Sequence, residues 1–158
     1  MAIFNGDDNP NVLTGTPDND EINGFGGDDV LDGGDSGDDV LNGGDGNDVL
    51  HGDDSSWGSQ GNDLLHGGAG ADSLYGNGSL YHEYGKDTAT YYDSASAVTV
   101  NLLAGTGAGG DAEGDTLHGV GNVTGSDFGD TLIGDSGNNI LRGGGGDDVL
   151  SGGSAGFE

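Results

Sequence analysis

The feature that most constrains this chain is a nine-residue rhythm. Apolar residues stand at Leu13, Ile22, Leu31, Leu41, Leu50, Leu65 and Leu74, at steps of nine, nine, ten, nine, fifteen and nine. A second run, Val123, Leu132, Leu141 and Leu150, steps by nine throughout. Two positions before most anchors sits an acid or amide: Asn11, Asp20, Asp29, Asp39, Asp48, Asp63, Asp72, then Asp130, Asn139 and Asp148. Glycines gather just ahead of these acids, most clearly at 43–46, 67–70 and 143–146. A fixed short period of this kind marks a repeat whose units bury their apolar side only by stacking on one another.

The local geometry follows from the residue types. A triplet such as Val49-Leu50-His51 makes a short strand whose alternation sends Leu50 inward and its neighbours outward. The six residues before it turn the chain. Two nonapeptides then complete a coil, so residues about eighteen apart stack at a strand spacing of roughly 4.8 Å. Asp29, Asp48 and Asp72 fall into one column, and Asp20, Asp39 and Asp63 into another. Two carboxylates about 5 Å apart, at an effective dielectric of about 20, repel by roughly 3 kcal/mol. One leucine per nonapeptide is too little burial to offset that repulsion and the ordering of nine residues. A counter-ion is required.

Composition points the same way. Two Lys+Arg stand against 29 Asp+Glu, a formal net charge of −27, and 38 residues are glycine. Such a polyanion repels nucleic acid and anionic membrane surfaces and attracts cations. Without an ion it has the composition of a disordered chain. There is no cysteine to staple it, no apolar run of membrane-spanning length, and no N-terminal signal peptide.

The motif written out is G-G-x-G-x-D-x-U-x, as in GGDGNDVLH (43–51), GGAGADSLY (67–75) and GGGGDDVLS (143–151). It resembles the calcium-binding nonapeptide of the hemolysin-type RTX family, over residues 5–75 and 123–153. GTPDNDEIN (15–23) lacks the second and third glycines, and Asn11 and Asn139 replace the acid, so the outermost repeats depart from the pattern. The resemblance implies an all-β parallel β-roll loaded with several Ca²⁺ ions. It implies two arrays, 1–75 and 123–158, joined by an irregular segment 76–122 that continues the solenoid. Each ion then takes carboxylates and alternate backbone carbonyls from turns one coil apart. The acids are Asp20, Asp29, Asp39, Asp48, Asp63, Asp72, Asp115, Asp130 and Asp148, with Asn139. The carbonyls of the first array are those of Gly24, Gly26, Gly27, Gly34, Ser36 and Gly37, then Gly43, Gly44, Asp45 and Gly46, then Gly67, Gly68, Ala69 and Gly70. In the second they are Gly134, Ser136, Gly137, Gly143, Gly144, Gly145 and Gly146.

In functional terms the resemblance implies a module that folds on meeting extracellular calcium. It would belong to a larger bacterial exoprotein exported by type I secretion machinery, with any protease, lipase, cyclase or alginate-modifying domain lying elsewhere. The alternative is a polysaccharide-binding or adhesin spacer module. An enzyme in this piece is disfavoured: its acids belong to a repeat, and no HExxH, GxSxG or Cys-His arrangement occurs. Met1-Ala2 running straight into a repeat reads as the start of an excised fragment. SGGSAGFE (151–158) offers no capping flank beyond Phe157, and an open edge frays or pairs, so the oligomeric state is left open.

The remaining features have plainer readings. Val98, Val100 and Leu102 alternate as a half-buried strand, and Tyr91 or Tyr92 fills a widened coil. AEGDTLHGVGNVTGS (112–126) returns to the repeat through Asp115 and Leu117. Trp57, in the insertion 53–60, reads as a surface-loop residue covering the side of the roll. Asp53 and Asp54 read as an acidic loop and not as an extra calcium site. His51, His66 and His118 share the slot after an anchor, but 51 and 66 belong on opposite faces, so solvated strand residues are preferred to a transition-metal row. GGGGDD lacks the GK[ST] of a phosphate loop, and its acids repel phosphate.

Overall fold

The computed structural model describes residues 1–53, 61–76 and 87–153. Asp54, Trp57, Lys86 and Phe157 lie outside these residues. The anchors become the centres of short strands: β1 (Ile3–Asn5), β2 (Val12–Thr14), β3 (Glu21–Gly26), β4 (Val30–Asp32), β5 (Val40–Asp45), β6 (Val49–His51), β7 (Leu64–Ala69), β8 (Ser73–Tyr75), β9 (Thr88–Thr90), β10 (Thr99–Asn101), β11 (Thr106–Ala108), β12 (Thr116–His118), β13 (Asn122–Thr124), β14 (Thr131–Ile133), β15 (Ile140–Arg142) and β16 (Val149–Ser151).

Successive strands alternate between two sheets, except that β10, β11 and β12 all lie in one. One runs β1-β3-β5-β7-β9-β13-β15, the other β16-β14-β10-β11-β12-β8-β6-β4-β2. The fold is an all-β parallel β-roll. Registers match anchor to anchor: Ile22 pairs with Leu41 and Leu41 with Leu65, and across the roll Leu31 pairs with Leu50 and Leu50 with Leu74. The anchors Ile22, Leu31, Leu41, Leu50, Leu65, Leu74, Val123 and Leu132 are all fully buried. They form one apolar column enclosed by the two sheets, with Phe4, Leu13, Leu102 and Leu141 packed against it. Leu150, in an edge strand, is 49% exposed.

The described part of 76–122 adds to both sheets. β9 lies between β7 and β13, and β12 pairs with β8. Ala89, Val98, Val100 and Leu117 continue the column, and Tyr91 fills it at 0% exposure while Tyr92 is 60% exposed.

Two features differ from a uniform parallel ladder of three-residue strands. β11 is antiparallel to both β10 and β12. Only residues 102–105 separate β10 from β11, enough for a hairpin and far too few for the crossover that a parallel partner requires. Secondly, β3, β5 and β7 each run six residues, carrying the ladder into the turn through Phe25↔Gly44↔Gly68. Glycine, having no Cβ, lets adjacent coils approach closely enough for that extension.

Gly44 shows how tight the approach is. Its φ is 111°, and a Cβ placed there would collide with the Phe25 carbonyl of the neighbouring coil. At Gly26 an added Cβ would meet its nearest atoms at 3.7 Å. Gly44→Ala is therefore expected to destabilise the roll by about 2 kcal/mol or more, and Gly26→Ala by less than about 1 kcal/mol. Urea unfolding of both variants in saturating calcium checks the ranking.

Candidate metal centre

The turns stack as the strands do, and each stacked aspartate accepts the backbone N–H of the aspartate one coil before it. On one side the Asn11 N–H donates to Asp29 Oδ1, Asp29 to Asp48, Asp48 to Asp72 and Asp72 to Asp115, all at 2.8 Å. On the other, Ala2 donates to Asp20, Asp20 to Asp39, Asp39 to Asp63 and Asp63 to Asp87, at 2.7–2.9 Å. A shorter ladder runs from Val98 to Asp130 and from Asp130 to Asp148. One oxygen of each carboxylate is thereby fixed by the coil spacing itself.

The second oxygen divides the residues into two groups. Oδ2 of Asp29, Asp39, Asp48, Asp63 and Asp72 is buried and has no hydrogen-bond partner among the described residues. A buried carboxylate oxygen left in this state is costly unless something neutralises it. These oxygens face backbone. A Cβ on Gly24 would collide with Asp29 Oδ2 and lie 2.6 Å from the Gly43 carbonyl. Gly43 stands in the same relation to Asp48 Oδ2 and the Gly67 carbonyl, and Gly33 to Asp39 Oδ2 and the Gly52 carbonyl. A carboxylate oxygen and a carbonyl from the next coil thus converge beside a bare Cα. An all-oxygen set carrying excess negative charge fits a hard divalent cation such as Ca²⁺.

In the other group the protein supplies the partner. Asp20 Oδ2 accepts from the Thr16 N–H and hydroxyl, each at 2.7 Å. Asp130 Oδ2 accepts from the Ser126 N–H at 2.6 Å and the Ser126 hydroxyl at 3.2 Å. Asp115 Oδ2 accepts from the Tyr91 hydroxyl at 2.9 Å, a bond that also satisfies a buried phenol. Asn139 closes its own turn, accepting from the Asp135 N–H and donating to Asp135 Oδ1 and the Gly121 carbonyl. The turn at 134–139, with Gly134, Ser136 and Gly137, is held by side chains, the Gly137 N–H donating to Asp135 Oδ1 at 2.7 Å. Asp45 and Ala69 offer carbonyls that accept the N–H groups of Gly27 and Gly46, leaving each one lone pair.

Two further acids stand at the columns, one within the ladder and one beside it. Asp87 extends the Asp20–Asp39–Asp63 ladder. Its signal was the acid two places before Ala89, a small anchor after a long excursion. Asp53, 3% exposed, lies beside Asp63 and Asp87. The histidines separate as their strands do. His51 and His118 are on one sheet but Tyr75 stacks between them, with ring centroids 4.7 and 4.9 Å away. His66, on the other sheet, meets Asp93 at 2.8 Å.

Electrostatics register the crowding. Burial, joined by the charges of neighbouring column members, pushes the carboxyls of Asp39, Asp48 and Asp53 up to about 6. Asp63 and Asp72 are raised to about 8, again by burial first and then by Asp87 and Asp115 respectively. Asp115 reaches about 6, burial outweighing the Asp72 N–H and the Tyr91 hydroxyl. At Asp20 burial acts in the same direction, but the Thr16 and Ala2 bonds outweigh it and hold the carboxyl below its usual value.

A family model for the RTX calcium-binding nonapeptide repeat matches the chain in four copies, over residues 5–36, 34–56, 57–79 and 124–155. No curated protein matches the chain.

The raised carboxyls bind protons more tightly in the ion-free roll than in the unfolded chain. Their contribution favours that roll fully below the ordinary value of 3.8, and is lost as pH rises through 6 and then 8. In chelator, far-UV circular dichroism is expected to gain β signal as pH falls from about 9 to about 4. Loss of β signal on acidification would show the opposite linkage.

Proposed function

The chain belongs to the RTX calcium-binding nonapeptide repeat family, and from that premise we propose that its folding is coupled to the calcium it binds, in support of secretion and extracellular folding of a larger bacterial protein. The observation that carries this reading is the row of buried Oδ2 atoms at Asp29, Asp39, Asp48, Asp63 and Asp72, without a partner among the described residues and recurring once per coil on both sides of the roll. Ions between Asp29 and Asp48, between Asp48 and Asp72, and between Asp39 and Asp63 supply the missing partner. Glycine carbonyls such as those of Gly43, Gly52 and Gly67 complete the oxygen set. Asp20, Asp115, Asp130 and Asn139 already have internal partners for their second atom, and Asp148 lies in an edge coil, so these sites are the weaker ones.

The ligand binds only the folded state, so free calcium sets the folding equilibrium. Because each ion is shared by two coils, filling one site orders its neighbour. In a low-calcium cytosol the chain stays an extended polyanion suited to passage through type I secretion machinery. Outside the cell, sites of roughly 10⁻⁴–10⁻³ M fill and the roll forms. Folding beyond the membrane then opposes return. No helix among the described residues is long and apolar enough to cross a membrane.

The test is a calcium titration followed by far-UV circular dichroism. Coil-like spectra in chelator and β-rich spectra at millimolar Ca²⁺ are expected, with Mg²⁺ a poor substitute because it holds its waters in a tighter octahedron. Asp48→Asn, which removes charge from two adjacent ion positions, raises the calcium midpoint severalfold, while the exposed Asp18→Asn leaves it within about twofold. Identical spectra with and without calcium, or equal midpoints for the two variants, contradict the proposal.

A further inference from the structure

Asp53 does not hold an aspartate position of the nonapeptide. It directly follows Gly52, where GGDGND and GGAGAD have their second glycine. It is nevertheless 3% exposed, and one oxygen each from Asp53, Asp63 and Asp87 lie within 4.8 Å of one another. The Gly61 N–H donates to Asp53 Oδ2 at 3.1 Å and orients the carboxylate, which leaves Oδ1 buried with no partner among the described residues. Asp63 is held similarly: Oδ1 accepts the Asp39 N–H, while Oδ2 is buried, partnerless and set against Gly52. Asp87 accepts the Asp63 N–H at 2.9 Å. Two of the three clustered carboxylates thus each carry a buried oxygen with no partner among the described residues, beside a third carboxylate.

The other stacked pairs along the columns bring together two carboxylates. Here the charge is three, and the cost of leaving it uncompensated is correspondingly larger. Among oxygen sites, affinity for a hard cation rises with the number of charged ligands and with site rigidity. All three side chains are pinned by backbone N–H groups or stacked between coils. We infer that Asp53, Asp63 and Asp87 form a three-carboxylate cation site, distinct from the two-carboxylate repeat sites, that fills first with Ca²⁺ and prefers trivalent lanthanide ions. This rests on the calcium reading above and deepens it. An ion there joins the point where the chain leaves the repeat after Asp53, the point of return at Gly61–Asp63, and the return at Asp87. It fixes both excursions to neighbouring coils before the regular sites fill.

The experiment is isothermal titration calorimetry of the full chain with Ca²⁺ and, separately, Tb³⁺. The wild-type protein is expected to show one ion bound at least about tenfold more tightly than the rest, and tighter still for Tb³⁺. Asp53→Asn abolishes that class and leaves the weaker ones. Asp53→Gly, which restores the Gly-Gly of a regular repeat, does the same and guards against a folding defect particular to the amide. Asp48→Asn weakens the later ions and keeps the tight one, and the exposed Asp8→Asn, with equal charge loss, changes neither class. A tight class that persists in both Asp53 variants, or disappears equally in Asp8→Asn, overturns the three-carboxylate site while leaving the calcium module standing. Absence of calcium heat in every protein overturns the underlying reading instead.

Discussion

The structure depends on what happens at the second oxygen of a stacked carboxylate. Parallel coils put acids of successive turns directly above one another, and the ladder of N–H donors satisfies one oxygen of each. From Asp29 to Asp72 no donor among the described residues reaches the other, whereas at Asp20 and Asp130 the N–H groups of Thr16 and Ser126 do. What remains is a column of buried negative charge that leucine burial does not offset. In the proposed reading a shared divalent ion converts the repulsion into a crosslink between coils. The same geometry that makes the empty roll costly makes the filled one cooperative.

The protein does not impose this demand uniformly. In the middle of the first array, from Asp29 to Asp72, the second oxygens have no partner among the described residues. Towards the ends Thr16, Ser126 and the Asp135–Asn139 pair provide substitutes made of protein. Tyr91 does so for Asp115, where the column widens to accept an aromatic ring. Ion-demanding coils are therefore joined to turns that close by themselves. Such turns give the polypeptide local structure from which ion-dependent stacking can propagate, consistent with nearest-neighbour behaviour in repeat folds.

Most of the architecture was legible because one residue type recurs at one interval. A leucine every nine residues, with an acid two places earlier, determines which side chain faces inward and which acids stack, and the column from Ile22 to Leu74 follows directly. Insertions hid the rest. Asp87 pairs across 24 residues from Asp63 and was not read as a column member; Asp115 was read as a repeat acid, but its stacking on Asp72, 43 residues away, is a distance that a nine-residue period does not announce. The antiparallel β11 arises from the shortness of its connection and not from any strand signal in TGA. Asp53 was discounted because an acid next to an insertion usually faces solvent; only the return of the chain at Gly61 places it inside. The extension of β3, β5 and β7 into their turns was missed for a related reason. Glycine weakens strands by propensity, yet here its missing side chain is what permits adjacent coils to pair.

The claim that a cation replaces the absent hydrogen-bond partner is tested most directly by anomalous diffraction from crystals grown in calcium. The account predicts anomalous peaks between consecutive coils, about 2.3–2.6 Å from Oδ2 of Asp29, Asp39, Asp48, Asp63 and Asp72. An ordered roll with those oxygens still bare, and calcium confined to its surface, would contradict it.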